Sequence, residues 1–264
     1  MIKFSIIINT HNQNKYICDA INSCLKQTYT NYEIIIIDSS KNKISLKKIP
    51  NNERKKIRYI YLKTINKHPE LNQIHKILKG YKESTGDYIL LLDGDDYFNK
   101  KKLSKLSDII KNKDMLCNQD APILFGENLK KKYLKKKFKN KFLRKYILNN
   151  WPQIYGTSSI VIKKKIMSLF IKKAKPLKWK YLAIDAQLIL FCQKYKYQTD
   201  YLNKLTFKRL HDKNLGASYM NILKKKFWAR RYMQFKYCEY LGINNEYSLD
   251  YLITKLIYFT LKKL

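Results

Sequence analysis

The first hundred residues alternate between short apolar runs and amphipathic segments. Continuous apolar runs are typical of strands buried on both faces of a parallel sheet. They cover residues 4–9, 33–38 and 88–93, with a weaker run at 57–62. Apolar residues at helical spacing predict helices over 17–25 and 71–81. Strands that alternate with helices predict right-handed βαβ units, and therefore an α/β fold with a mostly parallel sheet flanked by helices.

Acidic residues follow two of these predicted strands directly. Asp38 ends one strand, and Asp93, Asp95 and Asp96 end another. In open α/β sheets, ligands bind beyond the carboxyl ends of the strands, so these acids are expected along one rim. Clustered carboxylates repel one another unless a cation neutralises them, and hard oxygen ligands suit Mg²⁺ or Mn²⁺. A polar Asp-Gly turn that simply closes the strand is the alternative.

Four segments in this order resemble a known family. They are SIIINTHN at 5–12, AINSCLKQTY at 20–29, YEIIIIDSS at 32–40 and GDYILLLDGDD at 86–96. Together they are similar to the N-terminal half of inverting family 2 glycosyltransferases, which have the Rossmann-like GT-A fold. The resemblance implies transfer of a sugar from a nucleotide-sugar to a hydroxyl of an acceptor, assisted by Mn²⁺ or Mg²⁺.

The same resemblance assigns donor-binding roles along the rim. It implies that Asn9, His11, Asp38 and Ser39 hold the nucleoside. Asp93 and Asp95 belong to the acidic motif that meets the nucleotide-sugar, and Asp95 and Asp96 are implied as metal ligands. Many members of the family have a second acid where this chain has Ser39. The base therefore stays open, with uridine diphosphate the commonest choice among similar enzymes.

Asp185 is the candidate general base. Displacement at a sugar carbon needs a base near the acceptor hydroxyl, and residues 128–264 contain only six acids. Asp185 precedes an apolar helical face that includes Leu188 and Phe191, which places it at a helix N-terminus. An ordinary helix-terminal carboxylate would occupy the same position, stabilised by the helix dipole. The family has its base before a similar helix, so the resemblance favours the catalytic interpretation.

Two further segments carry candidate ligands. In the segment 207–214, the resemblance implies that Arg209 faces the diphosphate and that His211 faces the diphosphate or the metal. Arginine suits a phosphate because it donates two parallel hydrogen bonds, and histidine ligates metals; a solvated basic loop is the alternative. Trp151 precedes a predicted strand at 160–162 and is a candidate to stack on the acceptor sugar. Packing of this tryptophan beneath a loop is equally compatible with the sequence.

Positive charge is concentrated in the second half of the chain. The 264 residues contain 55 basic and 20 acidic side chains, a net charge of +35, and residues 128–264 hold 33 of the basic and 6 of the acidic ones. Basic segments interleaved with aromatic residues occur at 129–146 and 222–264. Basic amphipathic helices bind anionic membranes, which indicates peripheral association with the inner face of the cytoplasmic membrane. Lysine-rich coding bias, or packing on the core or on a second subunit, would produce similar segments.

The remaining features bound the organisation of the chain. No apolar run of 18 residues is present, the N-terminus enters a strand at once without a signal peptide, and five cysteines without a CxxC pair indicate a reducing, cytoplasmic compartment. We expect a glycosyltransferase domain over 1–220, with a nucleotide-sugar half (1–127) and an acceptor half (128–220). A basic, aromatic helical segment follows at 221–264.

Two other functions compete with the glycosyltransferase. A nucleic-acid-binding protein would match the charge and the aromatic content. Acids grouped at strand ends would repel a phosphate backbone, however, so no nucleic-acid partner is expected. A metal-dependent phosphatase would need a nucleophilic aspartate after the first strand, where this chain has Asn9 and Thr10. The expected partners are a nucleotide-sugar, a glycan or lipid-linked acceptor, and a membrane surface, with a homo-oligomer as a further option.

Overall fold

The computed structural model describes most of the chain. The described residues are 1–47, 49–112, 114–126, 129–133, 151–197, 202–211, 221–243 and 248–263.

The first half of the chain forms a parallel sheet. Its elements are β1 (Phe4–Thr10), α1 (Ile17–Leu25), β2 (Tyr32–Asp38), α2 (Asn51–Arg54), β3 (Ile57–Tyr61), α3 (Pro69–Glu83) and β4 (Tyr88–Asp93). The strands lie in the order β3-β2-β1-β4, and each neighbouring pair is parallel. β1 and β4 are almost entirely buried, as their unbroken apolar runs predict.

The second half extends the same sheet with mostly antiparallel pairs. Its elements are β5 (Tyr97–Phe98), α4 (Lys102–Asn112), β6 (Cys117–Gly126), β7 (Leu129–Tyr133), β8 (Ile160–Lys163), α5 (Lys164–Ala174), α6 (Ile184–Lys194), β9 (Leu202–Leu210), α7 (Lys225–Tyr240) and α8 (Leu249–Lys263). From β4 the sheet continues in the order β8-β6-β9-β5, and β7 pairs with β6. Among the strands that the structure describes, only the pair β6 and β9 is parallel in this half.

Two apolar layers cover the faces of the sheet. Alternate residues of β1 point to opposite faces, so Ile7 packs with α3, α5 and α6, whereas Ile6 and Ile8 pack with α1 and α4. α7 joins the first layer through Tyr237 and Cys238, which are both buried. Helices on both faces of the sheet define a layered α/β architecture.

The strand register aligns the polar ends of β1, β2 and β4. Thr10 is opposite Asp38 across β1 and β2, and Asn9 is opposite Asp93 across β1 and β4. Since these strands are parallel, their carboxyl ends share one rim of the sheet. The rim is therefore where the sequence predicts it.

The helices and strands predicted from the pattern in 1–96 are all present. The strand at 160–162 and the helix that begins beside Asp185 are also confirmed. The basic segment at 129–146 differs from the helix predicted there at its beginning, because Leu129–Tyr133 pairs with β6 as strand β7. The aromatic residues of that segment, from 134 onward, lie outside the described residues. Within the described part of the chain, no helix has the length and apolar character needed to cross a membrane.

Candidate active site

Three carboxylates lie close together at the end of β4. Asp95 and Asp96 are 6% and 3% exposed, and Gly94 packs against Thr10 and Gln13 so closely that a side chain there would overlap both. Burial, followed by the charge of Asp95, raises the pKa of Asp93 to about 6. The same two causes raise the pKa of Asp96 well above its ordinary value. The cluster is a concentration of negative charge that favours a bound cation.

Amide side chains from two elements hold Asp93. Asn9 Nδ2 donates to Asp93 Oδ1 over 2.7 Å, and Gln73 Nε2 of α3 donates to the same oxygen over 2.9 Å. Asn9, predicted as a nucleoside contact, therefore orients the acidic motif. Gln73 was not predicted, since a glutamine in an amphipathic helix carries no signal of its tertiary partner.

Asp96 is held from two sides. Ser158 Oγ donates to Asp96 Oδ2 over 2.6 Å, and the backbone N–H of Arg209 donates to Asp96 Oδ1 over 2.8 Å. The same serine oxygen accepts a hydrogen bond from the backbone N–H of Asp93 over 3.0 Å. Both oxygens of Asp96 thus fix the turn after β4 to the segments around β8 and β9.

Asp95 meets the histidine that the sequence predicts. His211 Nε2 lies 2.9 Å from Asp95 Oδ2, and the imidazole stacks on Tyr16 with ring centroids 5.2 Å apart. The two residues are 116 positions apart in the sequence, and β9 brings them together. This pair is the part of the candidate metal site that the structure assembles most directly.

Arg209 is anchored within the protein. Its guanidinium donates to Asp19 Oδ2 over 2.7 Å and to the backbone oxygen of Asp95 over 3.1 Å. The guanidinium carbon also lies 4.5 Å from the ring centroid of Tyr16 and 4.6 Å from that of Phe125. Stacking between two aromatic rings fixes its position. Its place beside the acidic motif agrees with the sequence, and its contact with a diphosphate stays a prediction.

Lys208 is a second cation at the cluster, and the sequence analysis missed it. Its charge lowers the pKa of both Asp93 and Asp96, against the larger effect of burial. Gly156 gives it room, because a Cβ at that glycine would lie 2.5 Å from Lys208 Nζ. A lysine in a chain this rich in lysine has no distinguishing pattern, which is why only the structure identifies it.

The residues predicted to hold the nucleoside line the neighbouring part of the rim. His11 Nδ1 lies 2.7 Å from the backbone oxygen of Ser39. Asp38 accepts hydrogen bonds from the backbone N–H of Ser40 over 2.8 Å and from the Tyr59 hydroxyl over 2.8 Å. Asp38 therefore stabilises the loop after β2, and Ser39 is left on the wall of a shallow recess.

The recess lies between the ends of β2 and β3 and the helix α3. Its lining comprises Ser39, Leu62, Lys63, Thr64, Ile65, Asn72, His75 and Lys76. Lys76 is buried and donates to the backbone oxygen of Thr10 over 2.8 Å, and burial lowers its pKa to about 8. The recess and the carboxylates share the rim, as the parts of a nucleotide site would.

Asp185 lies on α6, and Trp151 packs on α7. Asp185 is half-buried in the first turn of α6, where its Oδ1 accepts the backbone N–H of Ala186 over 2.8 Å. α6 packs on α3, the helix that carries Gln73 to Asp93. Trp151 meets Phe235 of α7 edge-on, with ring centroids 4.9 Å apart. The base and acceptor roles of these two residues stay predictions.

The side chains around Asp95 include ligand types that suit a divalent cation. Asp95 and His211 are an oxygen and a nitrogen ligand side by side, and the mutual repulsion of the carboxylates would be relieved by positive charge. Asp96 already accepts two hydrogen bonds, so it contributes mainly to the position of the turn. Among the described residues, no group of three or more potential ligands is arranged around one point. The residues fit a metal that completes its shell with water and phosphate oxygens.

Comparisons with known proteins identify the family of the chain. The family model for glycosyl transferase family 2 matches residues 5–170, which include the first eight strands. The chain belongs to glycosyl transferase family 2.

Individual relatives are similar over part of their length. The poly(ribitol-phosphate) β-N-acetylglucosaminyltransferase TarS of Staphylococcus aureus is 29% identical over 113 residues, which are 42% of this chain and 19% of TarS. The amylovoran biosynthesis glycosyltransferase AmsB of Erwinia amylovora is 27% identical over 175 residues, 62% of this chain and 56% of AmsB. An uncharacterized glycosyltransferase of Rickettsia conorii is 35% identical over 126 residues, 47% of this chain. The chain spans about a fifth of the Rickettsia and Staphylococcus relatives, 19% of each.

Solved structures of TarS have the same fold. The structure of its residues 1–349 with UDP-GlcNAc gives a TM-score of 0.58 at 16% identity, covering 97% of this chain and 70% of that one. The structure with UDP gives 0.56 at 18% identity, covering 97% and 69%. The predicted GT-A fold, a mixed and mostly parallel sheet flanked by helices, is confirmed.

Proposed function

We propose that this protein is a metal-dependent inverting glycosyltransferase. It moves a sugar from a nucleotide-sugar, with UDP as the expected nucleotide, to a hydroxyl of a glycan or lipid-linked acceptor during assembly of a bacterial surface polysaccharide. The observation that carries the proposal is the carboxylate cluster at the ends of parallel strands, with Asp95 beside His211 at 2.9 Å. TarS structures with UDP and UDP-GlcNAc, and the names of TarS and AmsB, support the donor and acceptor classes.

The residues divide the binding of the donor among them. Asp95 and His211 would hold Mn²⁺ or Mg²⁺, which stabilises the negative charge that develops on the leaving diphosphate. Lys208 adds a fixed positive charge beside Asp93 and Asp96. His11 and Ser39, at the recess after β2, meet the nucleoside. The donor would thus lie along the rim from the recess to the acidic motif.

The acceptor side is proposed to lie between α3 and α6. Asp185 in the first turn of α6 takes the proton from the acceptor hydroxyl. Trp151 lies near this side with one edge on Phe235, and its remaining surface would contact the acceptor sugar. A lipid-linked acceptor would place the enzyme at an anionic membrane surface, on the inner face of the cytoplasmic membrane, which agrees with its charge of +35.

Titration calorimetry with UDP and Mn²⁺ tests the proposal. We expect wild-type protein to bind UDP in the presence of Mn²⁺ and Asp95→Asn to lose at least tenfold in affinity, because it loses the charged ligand. Asp108→Asn, a change of the same type at an exposed position of α4, is the matched control and should bind as wild type does. Salt-sensitive binding to oligonucleotides without any binding of UDP would instead establish a nucleic-acid-binding protein.

Asp185→Asn tests the assignment of the base. The variant keeps the size of the side chain and should bind UDP and Mn²⁺ normally, while transfer to an acceptor should fall by about 100-fold or more. Calorimetry measures the binding of UDP, and hydrolysis and transfer assays with a panel of nucleotide-sugars measure the rate. Transfer at the wild-type rate would assign the base to another residue.

A further inference from the structure

α8 packs on α7 with its polar residues inward. On α8, Asp250 pairs with Arg231 of α7, and Arg231 Nε donates to the hydroxyl of the fully buried Thr254 over 3.2 Å. Tyr258 stacks on Tyr232 with ring centroids 4.5 Å apart. The side of α8 that faces the protein is therefore built from charged, hydroxyl and aromatic groups.

The opposite side of α8 is apolar and exposed. The exposed fractions range from 41% to 71% over five large side chains, Leu249, Leu252, Ile253, Leu256 and Phe259. Their spacing of three and four residues places them on one stripe of the helix, which we call the α8 stripe. This reverses the usual arrangement, in which a surface helix turns its leucines toward the core. Contiguous apolar surface of this kind is typical of an interaction site.

Cations border the α8 stripe. Lys255 and Lys262 are exposed on the same helix, and helical periodicity places them along one edge of the stripe. Three more exposed lysines, 224–226, stand at the beginning of α7. An apolar stripe bordered by basic residues is complementary to a surface with a negatively charged outer layer and an apolar layer beneath it. A second copy of this chain would place the same lysines against these ones. Its own net charge of +35 would add to the repulsion.

We propose that α8 lies on an anionic phospholipid bilayer, with the α8 stripe inserted at the boundary between headgroups and acyl chains. Lys255 and Lys262 would then lie at the level of the lipid phosphates. The inference deepens the proposed function and rests on it for the advantage that the contact gives. An enzyme bound to the bilayer would diffuse along the same surface as its lipid-linked acceptors. The contact itself follows from α8 and does not involve the nucleotide site.

Flotation with vesicles tests this contact. Vesicles of phosphatidylcholine with 30–40% phosphatidylglycerol, a composition chosen as about that of an anionic membrane, should carry the wild-type protein, and pure phosphatidylcholine vesicles should carry much less. Leu252→Ser with Leu256→Ser should lower the partition coefficient about tenfold or more. Leu177→Ser, which removes a leucine of similar exposure outside α8, is the matched control for Leu252→Ser alone and should bind as wild type does. Point variants are preferred to truncation because α7 contributes buried Tyr237 to the core.

The outcomes separate the contact from the catalytic proposal. The double variant should bind UDP and Mn²⁺ as wild type does, so a loss of vesicle binding alone supports the inference. Wild-type protein that ignores anionic vesicles, or a double variant that floats as well as wild type, overturns it. The wild-type protein could instead be a dimer by light scattering that does not bind vesicles, with the double variant a monomer. That result would assign the α8 stripe to the interface with a second copy.

Discussion

The hydroxyl and the backbone oxygen of Ser158 connect the acidic motif to the rest of the protein. The hydroxyl donates to Asp96 and accepts a hydrogen bond from the backbone N–H of Asp93. The backbone oxygen accepts a hydrogen bond from Lys102 Nζ over 3.2 Å. One residue in the turn before β8 therefore fixes both ends of the motif. Ser158 is a positioning residue, since it acts on the donor through the carboxylates.

Ser158→Ala should weaken binding of UDP with Mn²⁺ by about tenfold, because Asp96 and the N–H of Asp93 each lose a partner. The free energy of unfolding should fall by about 1–3 kcal/mol, the cost of buried groups left without hydrogen bonds. Calorimetry and urea unfolding measure the two effects. Ser159→Ala removes a neighbouring buried hydroxyl that donates only to Gly156, and it should leave binding unchanged. Equal losses of affinity in both variants would contradict the special role of Ser158.

Lys76 should give the stability of the protein a distinct pH dependence. Burial lowers its pKa from 10.5 to about 8 in the folded protein. Between those values the unfolded chain holds the proton and the folded protein has lost it, so stability rises with pH across this window. The rise attributable to Lys76 is at most about 3 kcal/mol.

Lys76→Met removes the group that titrates. The difference in unfolding free energy between wild type and variant, measured from pH 7 to 10.5, should shift in favour of wild type as the pH increases. A difference that stays constant over the whole range would show that Lys76 keeps its proton.

At the scale of elements, the sequence pattern predicts what is local. β4 and α1 follow from unbroken apolar runs and from helical spacing, which depend only on neighbours in the chain. The rim follows as well, because parallel strands align their ends. Gln73 and Lys208 could not be predicted, since their roles come from partners far away in the sequence. His211 was predicted only through the family resemblance, as no local pattern joins it to Asp95.

Gly80 shows how an element's packing can oppose its intrinsic propensity. The glycine is in the last turn of α3, three residues before Glu83, and alanine inside a helix would ordinarily be more stable than glycine by about 1 kcal/mol. A Cβ there would lie 2.5 Å from Ile7 Cγ2 of β1, however. We expect Gly80→Ala to destabilise the protein by about 1–3 kcal/mol, the cost of overpacking. Urea unfolding measures it, and Gly80→Ala with Ile7→Ala should lose less than the two single variants together; a stabilised Gly80→Ala protein would contradict the close approach.

For the molecule as a whole, a buried ion pair joins α4 to the strands of the second half of the sheet. Lys102 Nζ of α4 lies 3.0 Å from Asp120 Oδ1 of β6 and donates to Thr206 of β9 over 2.7 Å. Both charged side chains are almost completely buried, and burial lowers the pKa of Lys102. Lys102 Nζ also donates to the backbone oxygen of Ser158, so the pair supports the residue that holds Asp93 and Asp96.

Lys102→Met should destabilise the protein by about 3–5 kcal/mol, because it leaves the Asp120 carboxylate buried without its cation. Lys102→Met with Asp120→Asn should recover part of that loss, since the amide oxygen still accepts from the backbone N–H of Leu205 while the charge is gone. Urea unfolding of both variants gives the comparison. A double variant less stable than Lys102→Met would show that the carboxylate has another source of compensation.

The place of β9 in the sheet also determines when the site can exist during synthesis. Asp93 and Asp95 leave the ribosome more than a hundred residues before His211, and β9 must pair with β6 before the histidine reaches Asp95. A nascent chain that has finished only β1 to β4 therefore carries clustered carboxylates without the histidine beside them. The donor site should become competent in one late step, when β9 docks.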